Sequence, residues 1–224
     1  QHFQNSGTPE GFLNKIKAGI DAVYNVASAR IVRKVILQFK PDILHVHNFF
    51  FAASPSVLIE AQKHQLPVVV TLHNFRLICA NCLLLRDNKV CELCVKHDFP
   101  WYGVKYKCYH ESALQSVVVG SIAAIHKWMG TWQNKVDLFF TPSAFMRKRL
   151  LNSSLQVAAE RMKVKRNFIP DPGTGDLRTR KSFYLFVGRL SAEKGLHSLL
   201  DAWQWLPDQQ LVVLGDGPEK EQYL

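Results

Sequence analysis

The sequence predicts an α/β protein built on doubly wound parallel sheet. Two observations carry this. Short apolar runs alternate with stretches whose apolar residues recur at three- or four-residue spacing, which is strand and helix in turn. Glycine-bearing or histidine-bearing loops follow several of the apolar runs, at the strand ends where open α/β sheets bind ligands.

Residues 1–11 are polar and read as a loop or frayed end. Phe12, Ile16, Ile20, Val23, Ala27, Ile31 and Val35 then mark a long amphipathic helix with a break near Ala27-Ser28. Lys15, Lys17, Arg30, Arg33 and Lys34 make it basic, which reads as a solvated face in preference to a contact with acidic lipid or a phosphorylated acceptor. Pro41 ends it. Asp42–His47 reads as a buried strand and 48–53 as an aromatic loop. Ser54-Pro55 caps a helix reaching about Gln65. Val68–Leu72 is a second buried strand, with His73-Asn74 at its carboxyl end. Strand, helix and strand in succession form a parallel βαβ unit.

A cysteine-rich insert spans 79–108. A helix from roughly Ser112 to Trp132 follows, then a strand at Val136–Thr141. Next come a short basic helix opened by Pro142-Ser143 and a strand region at 161–168. The run 169–180, with two prolines, two glycines and two aspartates, predicts a boundary. The expected organisation is a partial N-terminal domain over 1–170, a linker over 171–182 and a partial C-terminal domain over 183–224. In the last, the run Phe183–Val187 ends at Gly188, a loop holds Arg189, Lys194 and Gly195, and a helix carries Leu196, Leu199, Leu200 and Trp203. Leu211–Leu214 is the second strand, followed by Gly215-Asp216-Gly217-Pro218.

Composition narrows the function. A hydrophobic fraction of 47% and a charged fraction of 21% are those of a globular domain. A net charge of +10 favours anionic partners. No block of five like charges exists, so a nucleic-acid tail is not expected. The longest apolar stretch, Ser116–Ile125, is too short to span a bilayer. The chain opens on Gln1, so a missing true N-terminus is expected.

The loop at 188–195 has the chemistry of a diphosphate site. Gly188 permits close backbone approach, the helix start offers N–H groups, Arg189 a planar fork and Lys194 a mobile charge. The insert has the chemistry of a metal site. Cys79-x2-Cys82 and Cys91-x2-Cys94 are paired knuckles, with Cys108 and His110 beyond them. Five thiols confined to one insert suit zinc in a reducing compartment better than a disulfide framework, and the spacing leaves open which four would serve. Trp101, Tyr102, Tyr106 and Tyr109 read as packing around it. His45 and His47 alternate with Val46 and so share one sheet face. No carboxylate pair suits glycoside hydrolysis.

The segment G-R-L-S-A-E-K-G resembles the donor-binding loop of family 4 glycosyltransferases, retaining GT-B enzymes related to glycogen and sucrose synthases. "KPDILHVHN", "VVVTLHN", "FTPSAFMRKRLL", "NFIPD" and "VVLGDGP" are similar to further segments of that family, so the likeness covers most of residues 35–224. The resemblance implies two Rossmann-type domains, both incomplete here. It implies transfer of a sugar, with retention, from a nucleoside-diphosphate sugar to a glycan or lipid-linked acceptor. It gives Arg189 and Lys194 the diphosphate, with Gly188, Gly215, Asp216 and Gly217 close to the donor. It makes His73 the catalytic residue beside the transferred sugar. His45 and His47 read as buried, hydrogen-bonded histidines, and His47, nearer the strand end, has the better claim to the acceptor cleft, with Asn48 and Asn74. A subset of the family is similar to "HN-x-R-L-x-C … L-L-x-R-D-x-x-x-C-E-x-C … C-Y", which implies Cys79, Cys91, Cys94 and Cys108 as metal ligands and Cys82 as the odd thiol or an alternate.

The family's first strand, its glycine-rich loop and its E-x7-E segment are absent, so a chain truncated at both ends and inactive alone is expected. No D-x-D occurs, and no catalytic divalent metal is expected. A cytoplasmic location is expected, peripheral at the inner face of an anionic membrane. The rivals are a zinc-bearing nucleic-acid-binding protein, favoured by charge and the knuckles, and a non-catalytic relative of the transferases.

Overall fold

The computed structural model describes Gly19 and residues 21–48, 53–171 and 173–223. It divides into two compact units, 1–168 and 169–224, described separately below.

The first unit is built on a four-stranded sheet. In chain order its elements are α1 (Val26–Phe39), β1 (Leu44–His47), α2 (Ser56–Lys63), β2 (Val68–Thr71), the hairpin β3 (Leu85–Arg86) and β4 (Lys89–Val90), α3 (Trp101–Lys105), α4 (Ala113–Trp128), α5 (Thr131–Asn134), β5 (Leu138–Thr141), α6 (Ala144–Leu151) and β6 (Met162–Val164). The strand order is β1-β2-β5-β6, all parallel, with His47 opposite Thr71 and Thr71 opposite Phe140. Parallel pairing forces crossovers, and α2 supplies the one between β1 and β2.

The core lies between sheet and helices. Leu58, Val68, Trp132, Phe139, Leu150, Leu155 and Met162 are fully buried there, and each such side chain contributes about 1.5–3 kcal/mol by leaving water. Asp137 fixes the register: its Oδ2 accepts from the Val68 amide at 2.7 Å and from Gln62 Nε2 at 3.1 Å. Glu60 is the one buried carboxylate among the described residues. Burial would raise its pKa, but hydrogen bonds from Arg33 of α1 and Lys63 outweigh that and hold it below the usual range. The Arg33–Glu60 contact, 2.6 Å, ties α1 to α2.

Several expectations shift. The amino-terminal half of the long helix, including Phe12 and Ile16, and the aromatic loop residues 49–52 lie outside the described residues. The break falls at Tyr24-Asn25 rather than Ala27-Ser28, because the Asn25 side chain accepts from the Ser28 amide at 2.9 Å and starts α1 afresh. β1 is an edge strand, with His45 and His47 exposed, not a buried one. The expected helix over 112–132 is two helices. Gly130, at φ +65°, turns the chain between α4 and α5, and His126 closes the corner through Thr131. The strands at 136–141 and 161–168 shorten to 138–141 and 162–164.

The second unit contains β7 (Tyr184–Val187), α7 (Leu196–Trp203) and β8 (Leu211–Leu214), the two strands pairing in parallel. No helix among the described residues is long and apolar enough to cross a membrane.

Candidate functional site

In the first unit the histidines meet where the strands end. The register sets His47 opposite Thr71, and two residues further on His73 leaves β2 on the same face. His47 Nδ1 lies 2.7 Å from His73 Nε2. His45 Nε2 lies 2.8 Å from Thr71 Oγ1. Burial lowers the pKa of both His45 and His47, and the neighbouring imidazoles and Lys165 lower them further. Both shifts favour the neutral ring. Asn48 follows β1 with φ +42° and is exposed. The Asn74 side chain is engaged by the Arg76 amide at 3.0 Å, so it shapes the turn after His73. No sequence pattern singles out Lys165. Only the pairing of β5 with β6 brings it near the histidines.

In the second unit the two glycine loops are joined. The Gly188 amide donates to the Leu214 carbonyl at 3.1 Å, Leu190 to Asp216 at 2.9 Å, and Glu219 to Leu190 at 3.1 Å. A Cβ on Gly215 would overlap the Gly188 carbonyl oxygen, and one on Gly217 would overlap the Leu190 carbonyl. Only glycine allows the loops this approach. Arg189 and Lys194 are exposed on this platform, and neither makes an ion pair among the described residues. The one carboxylate between them, Glu193, is already satisfied. The Ser191 hydroxyl donates to it at 2.7 Å. That bond and Glu193's own amide hold its pKa down, with Arg189 and Lys194 adding to the effect. Both cations therefore remain open to an external anion, beside the start of α7.

In the insert, Cys79, Cys91, Cys94 and Cys108 line one cavity of about 20 Å³, while Cys82 is not among its lining residues. Arg86 shares that wall with its guanidinium 3.7 Å over the Tyr106 ring; its Nε lies 3.2 Å from Asp87 Oδ2, and its Nη1 is buried without a hydrogen-bond partner among the described residues. Tyr102 and Tyr106 line the cavity, as the packing reading expects, but Trp101 is exposed. The zinc expectation meets a correction here. Among the described residues no three histidine, cysteine or acidic side chains are gathered closely enough to hold an ion. The sulfurs occupy the walls of the cavity instead of converging on one point. The Cys79 thiol donates to Asn81 Oδ1 at 2.9 Å, and burial pushes Cys94 up to about 11.

Comparison with known proteins gives the family. The family described as Glycosyltransferase Family 4 matches residues 18–171, and that described as Glycosyl transferases group 1 matches residues 171–224. The chain is 24% identical over 209 residues to an uncharacterized 42.6 kDa protein in the cps region of Klebsiella pneumoniae, covering 91% of this chain and 48% of that one. It is 25% identical over 212 residues to the sulfoquinovosyl transferase SQD2 of Arabidopsis thaliana, covering 87% of this chain and 34% of that one. The chain thus spans half or less of the length of these relatives. Its α/β units with parallel sheet are of the Rossmann-like kind found in the GT-B fold. The matches cover both units in order, and the chain belongs to glycosyltransferase family 4.

Proposed function

We propose that the protein transfers a sugar, with retention, from a nucleoside-diphosphate sugar to a hydroxyl of a glycan or lipid-linked acceptor. The observation that carries this is the pair Arg189 and Lys194, two unpaired cations on a loop locked to its neighbour by close glycine contacts. A diphosphate leaving group gathers negative charge as the glycosidic bond lengthens. Fixed cations and the N–H groups at the start of α7 stabilise that charge without a divalent ion. Gly188, Gly215, Asp216 and Gly217 bring backbone up to the donor. His73 meets the transferred sugar as a hydrogen-bonding group, and His47, Asn48 and Asn74 edge the acceptor side. The sulfoquinovosyl transferase relative favours a sugar donor, and the cps-region relative favours a surface glycan as product.

Binding tests this directly. Titration with a nucleoside diphosphate should give saturable binding, and Arg189→Ala or Lys194→Ala should each weaken it about tenfold or more. An oligonucleotide that binds more tightly than the diphosphate, with a steep salt dependence, would favour the nucleic-acid rival and remove this reading.

Peripheral contact with anionic lipid is proposed for α1, whose Leu37 and Phe39 are exposed beside Arg30, Arg33 and Lys34. Sedimentation with anionic but not neutral vesicles tests it.

A further inference from the structure

His47 Nδ1 and His73 Nε2 are 2.7 Å apart. At that separation one proton lies between the two nitrogens, and there is room for no more than one. The rings meet edge to edge, with centroids 5.0 Å apart and planes 24° from parallel. Two imidazolium rings would direct two N–H groups at each other. The pair therefore holds at most three protons on four ring nitrogens, and one positive charge rather than two.

The surroundings enforce this. On β1, His45 lies against the other side of His47, with ring centroids 4.3 Å apart, and its own Nε2 is engaged by Thr71 of β2. Lys165, just past β6, adds positive charge that both His45 and His47 feel. Phe140 of β5 presents only an aromatic edge to His45. Among the described residues, the charged and titratable groups that act on His47 all oppose a second proton on the pair.

We propose that His47 is a positioning residue for His73: the hydrogen bond between them engages His73 Nε2, orients the ring and leaves its Nδ1 as the only nitrogen for a ligand. Among the described residues no hydrogen bond is made by Nδ1 of His73. A sugar hydroxyl both donates and accepts, so it can meet that nitrogen whichever ring carries the shared proton. A His73 ring without this tie would be free to turn over and offer either nitrogen. The functional meaning of this arrangement rests on the reading of His73 as the sugar-facing residue. The pairing of the two rings does not.

The test is nitrogen-15 NMR of the histidine rings in the 224-residue chain between pH 5 and pH 9. It compares wild type with His47→Asn, which returns an amide near the lost Nδ1, and His47→Phe, which keeps an aromatic ring in that place. In the wild type a scalar coupling between His47 Nδ1 and His73 Nε2 should appear across the hydrogen bond. His47→Asn should keep the His73 Nε2 signal at a hydrogen-bonded position. His47→Phe should move that signal to the position of an unpaired ring nitrogen. Identical His73 spectra in wild type and His47→Phe would overturn the proposal. If the Phe variant does not fold, the wild type decides: no coupling between the two nitrogens would overturn it as well. Failure of diphosphate binding at Arg189 and Lys194 would remove the transferase reading and leave this result standing.

Discussion

The Leu190 amide donates to the Asp216 carbonyl at 2.9 Å, so the loop after β7 and the loop after β8 form one hydrogen-bonded platform. A methyl group at Gly217 would overlap the Leu190 carbonyl and force the platform apart. Gly217→Ala should destabilise the second unit by about 1–3 kcal/mol and reduce nucleoside-diphosphate binding at least tenfold, read by calorimetry. Gly175→Ala, where a Cβ meets nothing within 4 Å, should change neither.

Lys127 is a second, less obvious, cation. Its ammonium donates to the His97 and Asp98 carbonyls and to Ser154 Oγ, anchoring α4 to two loops. Burial pulls its pKa down to about 8. The unfolded chain binds this proton up to about pH 10.4. Between pH 8 and that value the unfolded state carries more protons, so stability should rise with pH. The full rise is roughly 3 kcal/mol, because each pH step of one between the folded and unfolded values contributes about 1.36 kcal/mol. Comparing denaturant midpoints of wild type and Lys127→Met from pH 8 to pH 10 isolates it; equal slopes would contradict the assignment.

His126 works at the other end of the scale. It is fully buried. Its Nε2 donates to the Val23 carbonyl and its Nδ1 accepts from the Thr131 hydroxyl, both at 2.9 Å. Burial lowers its pKa, so the folded state resists the proton the unfolded state accepts below about pH 6.5. Stability from this residue is present above that pH and is lost as the pH falls towards the lowered value. His126→Gln should show a shallower fall in Tm between pH 7 and pH 5.

The thiols offer a reagent test. Cys94, at about 11, should be the slowest thiol to alkylate at pH 8, with only about a thousandth of it as thiolate. Mass spectrometry of partly labelled protein orders the five sites; a Cys94 that labels among the first would contradict its burial.

Local patterning made much of the architecture legible. Leu211–Leu214 is a strand with the expected ends because four apolar residues lie between turn-forming neighbours. His45 and His47 share a face because alternation allows nothing else. The break between α4 and α5 was hidden because Trp128, Met129 and Trp132 continue the apolar spacing through Gly130, and only the His126–Thr131 hydrogen bond reveals the corner. The meeting of His47 with His73, and the approach of Lys165, depend on strand register. No local pattern encodes that. The C-x2-C spacing identified a thiol cluster, but it carried no information on how far apart the sulfurs stand.

β2 pairs directly with β5, Val69 with Leu138 and Thr71 with Phe140. Everything from Leu72 to Asp137, insert included, is therefore one excursion that leaves the sheet at His73 and returns to the adjacent strand. A detour with both feet planted side by side can be exchanged for a cousin's without sliding the strands. Grafting that excursion from another relative is thus the natural way to remodel what surrounds His73 while leaving the platform under it untouched.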